Sequence, residues 1–237
     1  MSELDTQPIE ARLTALNQRI ERACAACGRS PQEVTLVGVS KTKPAKDVAM
    51  AHALGLANFG ENYLQEAGDK IQALKQLEAT WHFIGSIQSN KTQDVAQHFD
   101  WVHTVDREKI GKRLSAQCPS NKVLNVLVQV NIDDDPAKGG CSAAELPNLV
   151  NQLTSLPNLK VRGLMTILSQ ASEPRASYQS VAQLYHDVRQ ALSEANKPHW
   201  DSLSMGMTGD LEHAIAAGAT HIRIGTALFG ERALPDQ

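Results

Sequence analysis

Aromatic side chains are scarce in this 237-residue chain: phenylalanine, tyrosine and tryptophan together make up 4% of it. The core must therefore be aliphatic, which suits a barrel lined by valine, isoleucine and leucine better than an aromatic-rich β-sandwich. Long lysine or arginine runs are missing too, and the formal net charge is −3. Without a dense cationic stripe, no nucleic-acid partner is expected. No apolar stretch approaches the roughly 18 residues of a membrane span. The opening MSELDTQPIEARL is polar and acidic, unlike a signal peptide. Cysteine is limited to Cys24, Cys27, Cys118 and Cys141. Cys24 and Cys27 form a CxxC, but it lies inside a helical pattern with no second CxxC or HxxxH, so buried, reduced thiols are expected rather than redox chemistry or zinc. The eight histidines show no HExxH-like spacing, and no metal site is expected. The chain is read as cytoplasmic and monomeric, with no membrane partner.

What is present is an alternation. Ile9, Leu13, Leu16, Ile20 and Cys24 recur at helical spacing, predicting a helix over 8–27 with Pro8 in its first turn and Gly28 beyond its end. Short β-like runs follow at 34–39, 57–60, 81–85, 101–105, 123–132, 159–167, 202–205 and 221–225. Helical patterns lie between them at 45–54, 63–77, 94–99, 110–114, from Ser142 onward, 178–192 and 211–217. Ser142 and Glu145 make a capping-box pattern, weakened by Pro147 just inside the helix. Eight strand–helix units in this length predict an α/β fold, a single (β/α)₈ TIM barrel domain over about 34–232 behind an extra N-terminal helix, with apolar strands inside. An open doubly wound sheet is the alternative; it would more naturally carry GxGxxG after its first strand, where this chain has SKTKP.

Chemistry in such a barrel collects at the C-terminal strand ends. Lys41 directly follows the first strand, where its amine would reach over the barrel mouth. Desolvation or a neighbouring cation, such as Lys43, would prepare it to attack a carbonyl; a solvated lysine is the plainer reading. The ends of the seventh and eighth strands carry Ser204, Gly206 and Thr208, then Gly225 and Thr226, residues whose small size and hydroxyls suit a phosphate. Asp210 and Glu212 oppose a dianion after the seventh strand, which shifts weight to Gly225 and Thr226. Arg223 shares a strand face with Gly225. Its guanidinium needs either a pyridine nitrogen or a rim carboxylate as partner.

The strings VSKTKP, FGENYLQE, WHFIGSIQSNK, GLMTI, SMGMTGDLEHAI and RIGTALFGER, spread over nearly the whole chain, closely resemble the pyridoxal phosphate homeostasis protein family. The resemblance implies pyridoxal 5′-phosphate held as a Schiff base on Lys41, its phosphate on Ser204, Gly225 and Thr226, and Arg223 opposite the pyridine nitrogen. It also implies that Asn62, His82 and Met165 line the pocket. Two positions depart from the family: Thr208 stands where serine is usual, and MTILSQ lacks a common proline or glycine.

Two functions compete. One is a non-catalytic protein of intracellular cofactor homeostasis, with apo-enzymes that use pyridoxal phosphate as partners. The other is an amino-acid racemase, which needs a base on each face of the imine. Racemases of this resemblance take the second base, a tyrosine, from a further β-domain, which is not expected here. Tyr178 and Tyr185 fall on a helical apolar stripe, leaving Tyr63 and His82 as candidates. An arginine opposite the ring nitrogen also makes the ring a poorer electron sink. The homeostasis reading is preferred.

Overall fold

A computed structural model describes residues 8–231. Helix α1 (Ile9–Ala26) comes first, burying Ile9, Leu13, Leu16, Ile20 and Cys24 as the spacing predicts. Eight strands follow: β1 (Thr35–Val39), β2 (Asn58–Glu61), β3 (Thr80–Phe83), β4 (Trp101–Val105), β5 (Leu124–Gln129), β6 (Leu159–Met165), β7 (Ser202–Ser204) and β8 (His221–Ile224). They alternate with α2 (Ala45–Ala53), α3 (Leu64–Ala73), α4 (Thr92–His98), α5 (Glu108–Gln117), α6 (Leu146–Thr154), α7 (Pro174–Ala191), α8 (Leu211–Ala216) and, after β8, α9 (Thr226–Phe229). The strands pair in parallel, in chain order, and β8 closes on β1. The barrel is therefore closed, and the open doubly wound sheet is ruled out.

Strand parity separates two interiors. Outward-facing Phe59, Trp81, Phe83 and Val102 pack with Phe99, Leu114 and Leu153 from the helical layer and its caps, and this layer is the hydrophobic core. Gly38 also faces outward: a Cβ there would meet Leu56 and Leu228 at 2.7 and 3.0 Å. The barrel lumen departs from the sequence expectation of apolar strands inside. Besides Val37, Val39 and Ile84, it holds Asn58, His82, Trp101, His103, Ser204, His221 and Arg223, all but Asn58 and Trp101 buried. Short runs such as WHF, WVHT and HIRI already alternate polar and apolar residues, with the polar ones facing in. The opposite mouth is closed by Arg162, whose guanidinium lies 4.8 Å above the Trp101 ring and forks onto both carboxylate oxygens of Asp201 at 2.8 and 2.6 Å.

One boundary shifts. Ser142 and Glu145 do form the expected reciprocal capping contacts, Glu145 N–H donating to Ser142 Oγ at 3.3 Å and Ser142 N–H to Glu145 Oε2 at 3.0 Å. The regular helix nevertheless starts only at Leu146, since Pro147 is tolerated in a first turn but not deeper.

Candidate functional site

Lys41 lies two residues beyond Val39. Val37 and Val39 point into the lumen, their methyls 3.2 and 3.6 Å from where a Cβ on inward-facing Gly60 would stand, and the strand ends there, so Lys41 stands in the turn at the C-terminal mouth. Among the described residues Lys41 is half-buried and makes no hydrogen bond or ion pair. Thr42, next to it, has φ 63°, a left-handed conformation that costs a β-branched residue on the order of 1–3 kcal/mol. The neighbours explain how that turn is kept. Thr42 N–H donates to Glu66. The Lys70 ammonium, on α3, donates to the Ser40 carbonyl at 2.8 Å, to Glu66 at 3.0 Å and to buried Glu61, which also accepts the Ser40 hydroxyl at 2.6 Å. Burial raises the Glu61 carboxyl above the usual range, outweighing the pull of Lys70 and Ser40. Lys70 is a buried cation that reads in sequence as an ordinary helical lysine. Lys43, expected to flank Lys41, instead donates to the Glu231 carbonyl.

β8 lies beside β1 in register, Gly38 against Ile224, so Gly225 stands beside Val39 and Thr226 opens the helix that follows. A Cβ on Gly225 would come to 3.5 Å from the Val39 carbonyl. Thr226 is exposed, with its backbone at the open end of α9. Arg223, one pleat deeper, is buried. It donates to Ser204 Oγ and to the Thr166 carbonyl, each at 2.8 Å, and no carboxylate pairs with it among the described residues. The carboxylate partner considered from sequence is thus absent from its contacts. Met165 is buried and in register with Ser204, which sets it on the lumen face beside Arg223's acceptor. Asn62 sits at the β2 end with its Oδ1 buried and without a hydrogen-bond partner.

Ser204 and His82 lie deeper than the sequence reading placed them. Ser204 is fully buried, and besides Arg223 its Oγ is 2.9 Å from His103 Nδ1. His103 Nε2 is 2.9 Å from His82 Nδ1, and His82 Nε2 is 3.0 Å from Asn58 Oδ1. His82 therefore belongs to a buried chain of hydrogen bonds running from Arg223 across the lumen rather than to the open rim. Burial holds both imidazoles well below the usual histidine value. Asn58, His103 and Thr166 were not singled out in the sequence, although the inward parity of WVHT could have found His103.

The loop after β7 is tied down by residues far away in sequence. Gly206 has φ 96°, and a Cβ there would stand 2.6 Å from that of Ala214, so only glycine fits. Asp210 accepts from Met207 N–H at 2.6 Å and from the Tyr178 hydroxyl at 2.9 Å. Glu212 is paired with Arg19 of α1, whose guanidinium also donates to the Thr208 carbonyl at 2.7 Å. The two carboxylates that weighed against an anion on this side are thus already engaged, and the extra N-terminal helix anchors the loop through Arg19.

Known proteins resemble this chain in sequence and in fold. The sequence model of the family described as alanine racemase, N-terminal domain, matches residues 11–233. The pyridoxal phosphate homeostasis protein of Pseudomonas aeruginosa is 50% identical over 225 residues, covering 94% of this chain and 96% of that one. The protein of the same name from Escherichia coli is 47% identical over 228 residues, covering 94% and 97%. PipY of Synechococcus elongatus, solved with PLP bound, shares the fold at a TM-score of 0.80 and 32% identity, over 94% of this chain and all of PipY. An alanine racemase from Clostridium difficile matches at a TM-score of 0.69 and 13% identity, and this chain spans 57% of it. That likeness is one of fold alone.

Proposed function

The chain belongs to the pyridoxal phosphate homeostasis proteins of the alanine racemase N-terminal domain family, and from this we propose that it binds pyridoxal 5′-phosphate at the mouth formed by β1 and β8 and serves its intracellular homeostasis. The observation that carries the reading is the presence at one mouth of Lys41, without a partner among the described residues, and of buried Arg223, which hydrogen-bonds only neutral oxygens there.

The residues present fit the group. Lys41 would hold the cofactor through its amine, and the cofactor would supply the aldehyde that such an amine condenses with. The strained turn at Thr42, held by Glu66 and Lys70, fixes where that amine points. Arg223 cannot give up its proton in practice, so it would donate to the pyridine nitrogen and leave it unprotonated. Gly225 lets the backbone approach closely, and exposed Thr226 offers a hydroxyl to the phosphate. Ser204, expected as a second phosphate donor, acts in this proposal through Arg223. Asn62 presents an unpaired amide oxygen near the mouth, and Met165 gives the lumen wall beside Ser204 an apolar patch.

The non-catalytic reading is favoured over racemisation by where the second-base candidates sit. Tyr178 donates to Asp210 and Tyr185 to the Trp200 carbonyl at 2.8 Å. Tyr63 is 51% exposed on the surface, and His82 is enclosed in the lumen chain. Apo-enzymes dependent on the cofactor are the proposed recipients, and a cytoplasmic monomer the proposed working form.

Thr226→Ala is expected to weaken pyridoxal phosphate about tenfold while leaving pyridoxal within about twofold. The basis is one charge-assisted hydrogen bond of roughly 1.5 kcal/mol at an exposed position. Equilibrium dialysis of the two ligands decides it: equal losses would remove Thr226 from the phosphate, and no binding of either ligand to the parent protein would defeat the proposed function.

A further inference from the structure

We propose that His82 and His103 are positioning residues: they form a one-way hydrogen-bond relay that commits the Ser204 proton away from Arg223 and so holds the guanidinium in its donating pose. The identity of the ligand rests on the function proposed above; the relay itself does not.

The direction follows from its two ends. Arg223 can only donate, so Ser204 Oγ is an acceptor at 2.8 Å. At the far end, Asn58 Oδ1 can only accept, so the His82 Nε2 facing it at 3.0 Å carries a proton. A neutral His82 then has an unprotonated Nδ1, which must receive the His103 Nε2 proton across 2.9 Å. A neutral His103 in turn presents an unprotonated Nδ1 to Ser204, which gives it the hydroxyl proton across 2.9 Å. Each link has one donor and one acceptor, with no proton left over.

The surroundings enforce neutrality. His82 faces His103, His221 and Trp101 at ring distances of 5.1, 6.0 and 5.7 Å, and His103 faces His221 at 6.0 Å. Arg223 already charges this compartment, Arg162 lies beyond Trp101 paired with Asp201, and among the described residues neither the His82 nor the His103 ring hydrogen-bonds a carboxylate. A second proton on His103 would aim two cationic donors at Ser204 and leave its hydroxyl hydrogen buried without an acceptor. The charge of the compartment thus stays with Arg223, and two of its five N–H groups are fixed on neutral oxygens, Ser204 Oγ and the Thr166 carbonyl.

Nitrogen-15 NMR of the imidazoles in the ligand-free protein tests the direction without reference to any cofactor. Both His82 and His103 are expected as neutral Nε2–H tautomers from pH 8 to 5.5. An Nδ1–H tautomer on either ring, or an imidazolium above pH 5.5, would overturn the relay. The positioning role is tested by pyridoxal phosphate binding. His103→Leu should weaken it at least tenfold, whereas His103→Gln, whose amide supplies an acceptor and a donor, should stay within about threefold. Equal losses in the two variants would reduce His103 to a packing role. If the leucine variant does not fold, Ser204→Ala cuts the same relay with a smaller change and is read in its place. Failure of the parent protein to bind the cofactor would count against the proposed function alone, because the tautomers still decide the relay.

Discussion

Moving from pH 7.5 to pH 5.5 is expected to lower the unfolding free energy by about 4 kcal/mol, an effect that originates in the barrel lumen. His82, His103 and His221 are buried there, and burial depresses all three, His221 to about 4 and the other two well below 6.5. Above pH 6.5 the rings are neutral in both folded and unfolded chains and contribute nothing to the difference. Below it, the unfolded chain takes up protons that the folded lumen refuses, so stability falls as pH falls. Each ring contributes about 1.4 kcal/mol per pH unit in that window. Carboxylates with lowered values, such as Glu145 and Glu212, add their own loss only at lower pH, nearer the unfolded carboxylate range. Urea unfolding at the two pH values measures the effect. An unchanged midpoint would mean that the lumen admits protons.

Lys70→Met is expected to cost about 3–5 kcal/mol at neutral pH, because it strands the Glu61 carboxylate in a fully buried site. The two side chains are 4% and 0% exposed, and Glu61 Oε2 already lacks a partner. Burial sets the folded Glu61 value above the unfolded one, so loss of Lys70 should raise it further. The folded variant then binds a proton more readily than the unfolded chain, and its deficit should shrink as pH falls toward 5. Adding Glu61→Gln should recover most of the loss. A single variant that loses less than about 1 kcal/mol would show that the ion pair does not hold the Lys41 turn.

The eightfold alternation was legible because strand runs and amphipathic helices obey different periods, and the barrel follows from their count. Lys41 was singled out because it comes just after the first strand, which ends at Val39. The lumen was harder to read. Histidines in WHF, WVHT and HIRI look like scattered polar residues until closure brings β3, β4 and β8 around one axis. Ser204 read as a phosphate ligand because it ends a strand, but the structure shows its oxygen between Arg223 and His103, one layer down. Lys70 and Arg19 were invisible for a related reason. Each sits on a helix whose sequence looks solvated, and each becomes structural only through partners brought close by the fold, with Glu212 lying 193 residues from Arg19.

The central claim is that Lys41 holds the cofactor, and borohydride reduction followed by peptide mapping tests it most directly. Protein incubated with pyridoxal phosphate and reduced should carry one pyridoxyl group on Lys41, and Lys41→Ala should remain folded and carry none there. A modification found on Lys43, Lys138 or another lysine, with Lys41 left unmodified, would contradict the account.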